Sequence, residues 1–232
     1  MTALAWPAEG EIHIRLVTLE QIPCNLFLSP DEVQRADRLL NRQARSRFVA
    51  GRNVLRQSLA RYLDLDPARL CLATNEHGKP RLSGEHSGSG LFFNLSHSEN
   101  LAILAITTGC ELGVDIELVR EGLEFHSMAR QFFSPREHSE LFSLPPERQR
   151  DAFYRCWTRK EAYLKGCGKG FSQPSSCCDV SLIPSQPPAL REHRLDPAEP
   201  GRWNLVDMDV PPGFCGALAV KGRIHTLTFC DE

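Results

Sequence analysis

One helix-start device occurs twice in this chain, and its repetition constrains the fold more than any other feature. Ser29-Pro30-Asp31-Glu32 offers Ser as an N-cap, Pro at the first helical position and Glu to close a capping box. The device returns as Ser134-Pro135-Arg136-Glu137, and at the same offset Phe48 corresponds to Phe153, each inside a second helical pattern. Short β-like runs follow in both cases: 91–95 and 101–106 in the first, 203–210, 214–220 and 224–229 in the second. The expectation is a duplicated α+β plan over residues 1–108 and 109–232, with the stretch 107–113 joining two similar halves. A seam between such halves is a usual place for a ligand cleft.

The segment 157–170, Trp-Thr-Arg-Lys-Glu-Ala-Tyr-Leu-Lys-Gly-Cys-Gly-Lys-Gly, reads as a helix with charge where a core belongs. At about 100° per residue, Phe153, Cys156, Trp157, Tyr163 and Leu164 share one apolar arc. Lys160 sits within that arc, Glu161 at its edge and Lys165 one turn beyond Glu161. An unpaired charge is costly to bury or must shift its pKa, so inward-facing charges require partners. The plainer reading is a Glu161–Lys165 surface pair worth about 0.3–0.5 kcal/mol, with Lys160 snorkelling out to solvent.

A second acidic element is Gly113-Val114-Asp115-Ile116-Glu117. On a strand Val114 and Ile116 point one way, Asp115 and Glu117 the other. Adjacent carboxylates repel unless a cation or proton lies between them. Hard oxygen ligands on a rigid element suit Mg²⁺, which binds one or two carboxylates and completes its shell with water and phosphate oxygens. The alternative is an edge strand showing two acids to solvent.

A net charge of −2 argues against wholesale nucleic-acid binding, and 41% hydrophobic content is ordinary for a soluble protein. The charge is unevenly placed. Between positions 35 and 61 eight arginines (35, 38, 42, 45, 47, 52, 56 and 61) stand against one acid, Asp37. Such a segment suits phosphates or an acidic protein partner, with Arg45 and Arg56 as candidate steering charges. The alternative is a solvated helical face. Nine cysteines include no C-x-x-C and one adjacent pair, Cys177–Cys178. There is no secretory start and no apolar run of membrane-spanning length. These observations point to a reduced, cytoplasmic protein without membrane contact, its cysteines acting as small buried hydrophobes.

The stretch 184–202 holds five prolines and reads as a surface loop, as does the glycine- and serine-rich stretch 84–90. The latter leads into Phe92-Phe93-Asn94-Leu95-Ser96-His97-Ser98, where polar groups cluster as an apolar run ends. Asn, Ser and His there suit phosphate oxygens, or equally cap the next turn. Gly78-Lys79-Pro80 is a tight turn presenting one lysine, which solvation alone would explain.

Taken in order, G-K-P at 78–80, F-N-L-S-H-S at 93–98, G-V-D-I-E at 113–117, F-F-S-P-R-E at 132–137 and W-T-R-K-E-A-Y-L-K-G at 157–166 closely resemble the Sfp-type 4′-phosphopantetheinyl transferases over roughly 29–172. The resemblance implies an α+β monomer of two pseudo-two-fold-related halves. It would be a Mg²⁺-dependent enzyme moving the phosphopantetheine arm of coenzyme A onto a serine of an acidic apo acyl or peptidyl carrier protein. Adenosine 3′,5′-bisphosphate would leave. By motif position it implies metal ligands at Asp115 and Glu161, with Glu117 as a third ligand or the holder of a bound water. Arg35, Lys79, Pro80, Asn94, Ser96, His97, Lys160 and Lys165 would line the CoA site. Glu161 would take the serine proton, and Lys165 would stabilise the leaving phosphate oxygen. Position 32 is Glu where some members carry Lys, so the 3′-phosphate cradle differs here. Competing expectations are a short, trimeric holo-acyl-carrier-protein synthase, a CoA-binding module without chemistry, and a Mg²⁺-dependent phosphoesterase.

Overall fold

A computed structural model of the chain describes residues 3–21, 27–169 and 174–230. Gly170, with the rest of the motif stretch to 172, lies outside the described residues. Strand β1 (Glu11–Thr18) precedes helices α1 (Pro30–Asp37) and α2 (Arg42–Leu63), then β2 (Leu72–Thr74) and β3 (Pro80–Leu82). Three strands follow: β4 (Leu91–Ser98), β5 (Leu101–Thr108) and β6 (Leu112–Leu118). Next come α3 (Phe125–Phe132), α4 (Pro135–Ser143) and α5 (Pro146–Cys167). The chain continues through β7 (Cys178–Val180), β8 (Leu190–His193), β9 (Trp203–Asp207), β10 (Phe214–Lys221) and β11 (Thr226–Phe229). The mixed α+β class is as expected. Both capping boxes form: Ser29 caps α1 with Glu32, and Ser134 caps α4 with Glu137. The expectation of a bare loop over 184–202 is corrected, because β8 and a 3₁₀ turn at Glu199–Gly201 fall within it.

Two main sheets face each other, one ordered β11-β1-β5-β4 and the other β6-β10-β9. Alternation along each strand sorts side chains into layers. Ala102, Leu104 and Ile106 of β5 meet Val54, Leu55 and Leu59 of α2. The opposite face, Ile103 and Ala105, packs with Ile12 and Ile14 against Val114, Ile116, Leu218 and Val220 of the second sheet. That sheet's outer face, including Ala217 and Ala219, carries Phe153, Cys156, Ala162 and Tyr163 of α5. The layers therefore run helix, sheet, sheet, helix. Full burial of each large apolar side chain contributes about 1.5–3 kcal/mol. With Val114 and Ile116 committed to the inter-sheet core, Asp115 and Glu117 turn toward α5.

One arrangement appears on both outer helices. In each, the capping-box Glu also neutralises a cation from the long helix behind it. Glu32 accepts from Arg56 Nε at 2.7 Å, and Arg56 Nη1 donates to the carbonyls of Pro67 and Leu70. Glu137 accepts from Lys160 Nζ at 2.7 and 2.9 Å, and the same ammonium donates to the Cys178 carbonyl. A buried cation with a carboxylate and backbone carbonyls around it meets the pairing that burial demands.

Candidate active site

Strands β4 and β6 belong to different sheets yet run against each other, joined by side chains. Asn94 Oδ1 accepts from the Val114 amide at 2.9 Å, and Ser98 Oγ accepts from the Leu118 amide at 3.0 Å. Ser96 Oγ donates to Asp115 Oδ1 at 2.9 Å, and Ser98 Oγ donates to Glu117 Oε2 at 2.8 Å. Alternate residues of β4 thus satisfy amides that an edge strand leaves open, and fix both acids of β6. The edge-strand alternative for Asp115 is excluded by its 2% exposure.

Helix α5 brings the remaining charges. Lys165 Nζ contacts Asp115 Oδ1 at 2.5 Å and Ser96 Oγ at 2.8 Å. Glu161, one turn back and half-buried, has a raised pKa. Burial raises it most, Lys165 opposes, and Asp115 and Glu117 add to the rise. Glu117 is likewise raised by burial and by Asp115, against Ser98, Lys165 and Arg120. The three carboxylates therefore feel one another through a poorly solvated space. Asp115 Oδ2 is buried there without a hydrogen-bond partner.

Two glycines let α5 come this close. A Cβ on Gly113 would stand 2.2 Å from both the Ala162 carbonyl oxygen and the Gly166 nitrogen, so helix and strand backbones touch. A Cβ on Gly166 would strike the Trp203 ring at 2.6 Å. Both glycines lie inside quoted motifs, and neither was singled out from the sequence.

Other expected site residues are placed as follows. His97 is exposed on β4; partial desolvation, then Lys165 and Arg47, lower its pKa. Lys79 spans from the β2–β3 turn to the end of α5, donating to Glu111 at 2.6 Å and to the Gly166 carbonyl at 2.8 Å. Pro80 opens β3. Arg35 is exposed at the end of α1, its guanidinium 5.4 Å from the Phe48 ring centroid, and Arg52 approaches the same ring at 5.4 Å. Two expectations are corrected. Lys160 does not join the Asp115 group: the residue is 2% exposed and its ammonium is held by Glu137, because the apolar arc that contains it faces the α4–β7 core. Arg56 is 1% exposed and paired with Glu32, so it is no steering charge.

Among the described residues, no group of three or more His, Cys, Asp or Glu side chains is already gathered to hold a metal. The partnerless Oδ2 of Asp115 nevertheless fits a hard cation, as does the mutual repulsion of the three acids. No helix among the described residues is long and apolar enough to cross a membrane.

Family comparison agrees with the motif order. Residues 111–219 match the 4′-phosphopantetheinyl transferase superfamily, and residues 20–109 match the N-terminal region of a 4′-phosphopantetheinyl transferase. The chain is 38% identical over 218 residues to the 4′-phosphopantetheinyl transferase HetI of Nostoc sp., covering 91% of this chain and 88% of HetI. It is 32% identical over 157 residues to the 4′-phosphopantetheinyl transferase Sfp of Bacillus subtilis, covering 67% of each. Among solved structures, the Chronobacterium ammoniagenes ACPS-CoA complex aligns at a TM-score of 0.35 and 18% identity, over 48% of this chain and 96% of that one, too slight a likeness to inform the fold. With two family matches spread over both helix–sheet layers and a relative aligned along most of its length, this chain belongs to the 4′-phosphopantetheinyl transferase family.

Proposed function

We propose that the protein transfers the 4′-phosphopantetheine arm of coenzyme A to a serine hydroxyl of an apo acyl or peptidyl carrier protein, as a cytoplasmic monomer dependent on Mg²⁺. The observation that carries the reading is the buried, partnerless Oδ2 of Asp115 beside two carboxylates with raised pKa values. Such a site is built for a cation and for phosphate oxygens. Asp115 and Glu161, with Glu117 as third ligand or holder of a bound water, would carry Mg²⁺, which when bound neutralises the pyrophosphate.

The serine oxygen attacks the phosphorus that bears the pantetheine arm, and the bond from that phosphorus to the bridging oxygen breaks. Adenosine 3′,5′-bisphosphate leaves with that oxygen. Glu161, placed on α5 beside Asp115 and Glu117, takes the serine proton, directly or through a water. Lys165, whose ammonium already leans on Asp115 and Ser96, stabilises the leaving phosphate oxygen. His97 and Arg35 are exposed and stand for phosphate contacts. Lys79, Pro80, Asn94 and Ser96 shape the walls. The repeated capping box with its buried cation supports reading the two helix–sheet units as pseudo-equivalent halves around the cleft. Buried thiols such as Cys156 and Cys178 suit a reducing compartment.

The test is incubation with CoA, Mg²⁺ and a panel of apo carrier domains, followed by intact mass. A phosphopantetheine mass gain on at least one carrier, abolished by chelator and restored by Mg²⁺, is expected. No gain on any carrier would refute the reading, and CoA turnover without a carrier would make the enzyme a phosphoesterase instead.

A further inference from the structure

The two-residue turn between β4 and β5 contains a residue in a conformation that does not suit it. Glu99 has φ +50°. Besides glycines, the described residues show positive φ only there and at Asp64, the C-cap of α2, where a short polar side chain tolerates it. A hairpin turn that needs positive φ ordinarily takes Gly, Asn or Asp. Glutamate brings strain without their compensation.

What glutamate adds is its carboxylate. One oxygen takes Arg47 of α2, and the other takes Arg120, just past β6. The Arg120 amide in turn donates to the Tyr154 hydroxyl of α5 at 3.0 Å. Next to Glu99, Ser98 already holds Glu117 and the Leu118 amide. Glu99 therefore closes a bridge from α2, across the end of β4, to the exit of the strand that carries Asp115 and Glu117. Arg47 also stands near enough to His97 to help lower its pKa, which places this bridge at the mouth of the site. Both ion pairs are partly solvent-exposed, with side-chain exposures of 22%, 33% and 59% for Arg47, Glu99 and Arg120, and pairs of that kind return little stability. Stability is thus a poor reason for a strained glutamate here.

We propose that Glu99 is a positioning residue for the transfer reaction, fixing the spacing between the α2 wall and the β6 wall of the site through Arg47 and Arg120. The inference rests on the reaction proposed above. Its test uses two variants. Glu99→Gly gives the turn the residue its φ favours and removes the carboxylate; Glu99→Gln keeps the strain and removes only the charge. For Glu99→Gly, Tm equal to or above wild type is expected, with kcat lowered about tenfold by misplaced walls. KM for CoA should not rise, because two guanidiniums are released toward the phosphates. Glu99→Gln should lose the same factor in kcat with its Tm close to wild type, since the exposed pairs it gives up return little stability. Transfer by either variant within about twofold of wild type, or a lower Tm for Glu99→Gly, would overturn the proposal. Hydrogen exchange decides independently of chemistry: amides at 118–121 and in the first turns of α2 should exchange about tenfold faster in both variants, and unchanged exchange refutes the bridge. A wild-type protein without transfer activity would count against the reaction, while exchange would still judge Glu99.

Discussion

Asp115 uses only one of its two carboxylate oxygens: Oδ1 holds Ser96 and Lys165, while Oδ2 is buried and partnerless. Around it, Glu161 binds its proton more tightly in the folded protein than in the unfolded chain, since its folded pKa is raised. Such a group leaves the fold least stable above the raised pKa, and stability recovers as pH falls through it toward the ordinary carboxylate range. Glu161→Gln, which cannot ionise, is therefore expected to melt above wild type near neutral pH in chelator, while transfer falls by about a hundredfold or more. A calorimetric scan beside a transfer assay checks both parts, and a lower Tm would show that the acids do not repel. Lys160 behaves oppositely. Burial would lower its pKa, but Cys178 and Glu137 outweigh that and raise it. Removing one partner of a buried pair leaves a buried charge, so Lys160→Ala should cost about 3–5 kcal/mol. A Lys160→Met/Glu137→Leu double variant should recover part of that loss in denaturant titration. An alanine variant of full stability with a raised KM for CoA would instead restore Lys160 to the site.

The elements show which parts of this were legible in sequence. Both capping boxes were, because a cap is a local device written in four adjacent residues. The paired acids of β6 followed from strand alternation, and the apolar arc of α5 from helical period: Phe153, Cys156, Tyr163 and Leu164 are all buried. The purpose of Lys160 was not legible, since its partner Glu137 comes from another helix and periodicity carries no information about partners. β1 went unrecognised even though Ile12, Ile14 and Leu16 alternate, which was signal enough. The contact of α5 with β6 was hidden because a glycine announces space without saying what fills it. Gly113→Ala tests that contact. Overpacking costs about 1–3 kcal/mol where side chains can yield, and here the obstacles are backbone atoms, so Tm should drop sharply and transfer should be lost as Glu161 leaves Asp115. An active, stable alanine variant would mean that the helix can slide without consequence.

At the scale of the whole molecule, the arginine-rich segment divides by burial. Arg56 is inside, Arg45 is paired with Asp37 at 2.5 Å, and Arg38 and Arg42 are exposed where α1 passes into α2, beside the fully exposed Leu40. On the function proposed above, steering of an acidic carrier protein would fall to the exposed Arg38 and Arg42. Charges attract across solvent only within about 8–10 Å at physiological salt, so added salt should slow capture. The Arg38→Glu/Arg42→Glu double variant should raise KM for the carrier about tenfold, flatten its salt dependence and leave KM for CoA unchanged. Salt dependence equal to wild type would make this segment an ordinary solvated surface.

The sheet order β11-β1-β5-β4 also bears on how the molecule is made. β1 is flanked by β5 and by β11, and the Thr228 hydroxyl that binds the Glu11 carboxylate is 217 residues away in sequence. On the ribosome, β1, β5 and β4 are available long before residues 226–229 emerge. Throughout that interval one edge of β1 keeps its backbone groups open, the kind of edge to which foreign strands add. The nascent chain thus carries an unfinished sheet for about half of its synthesis, and stalling or nicking ahead of β11 is expected to yield an aggregation-prone species in place of a shorter enzyme.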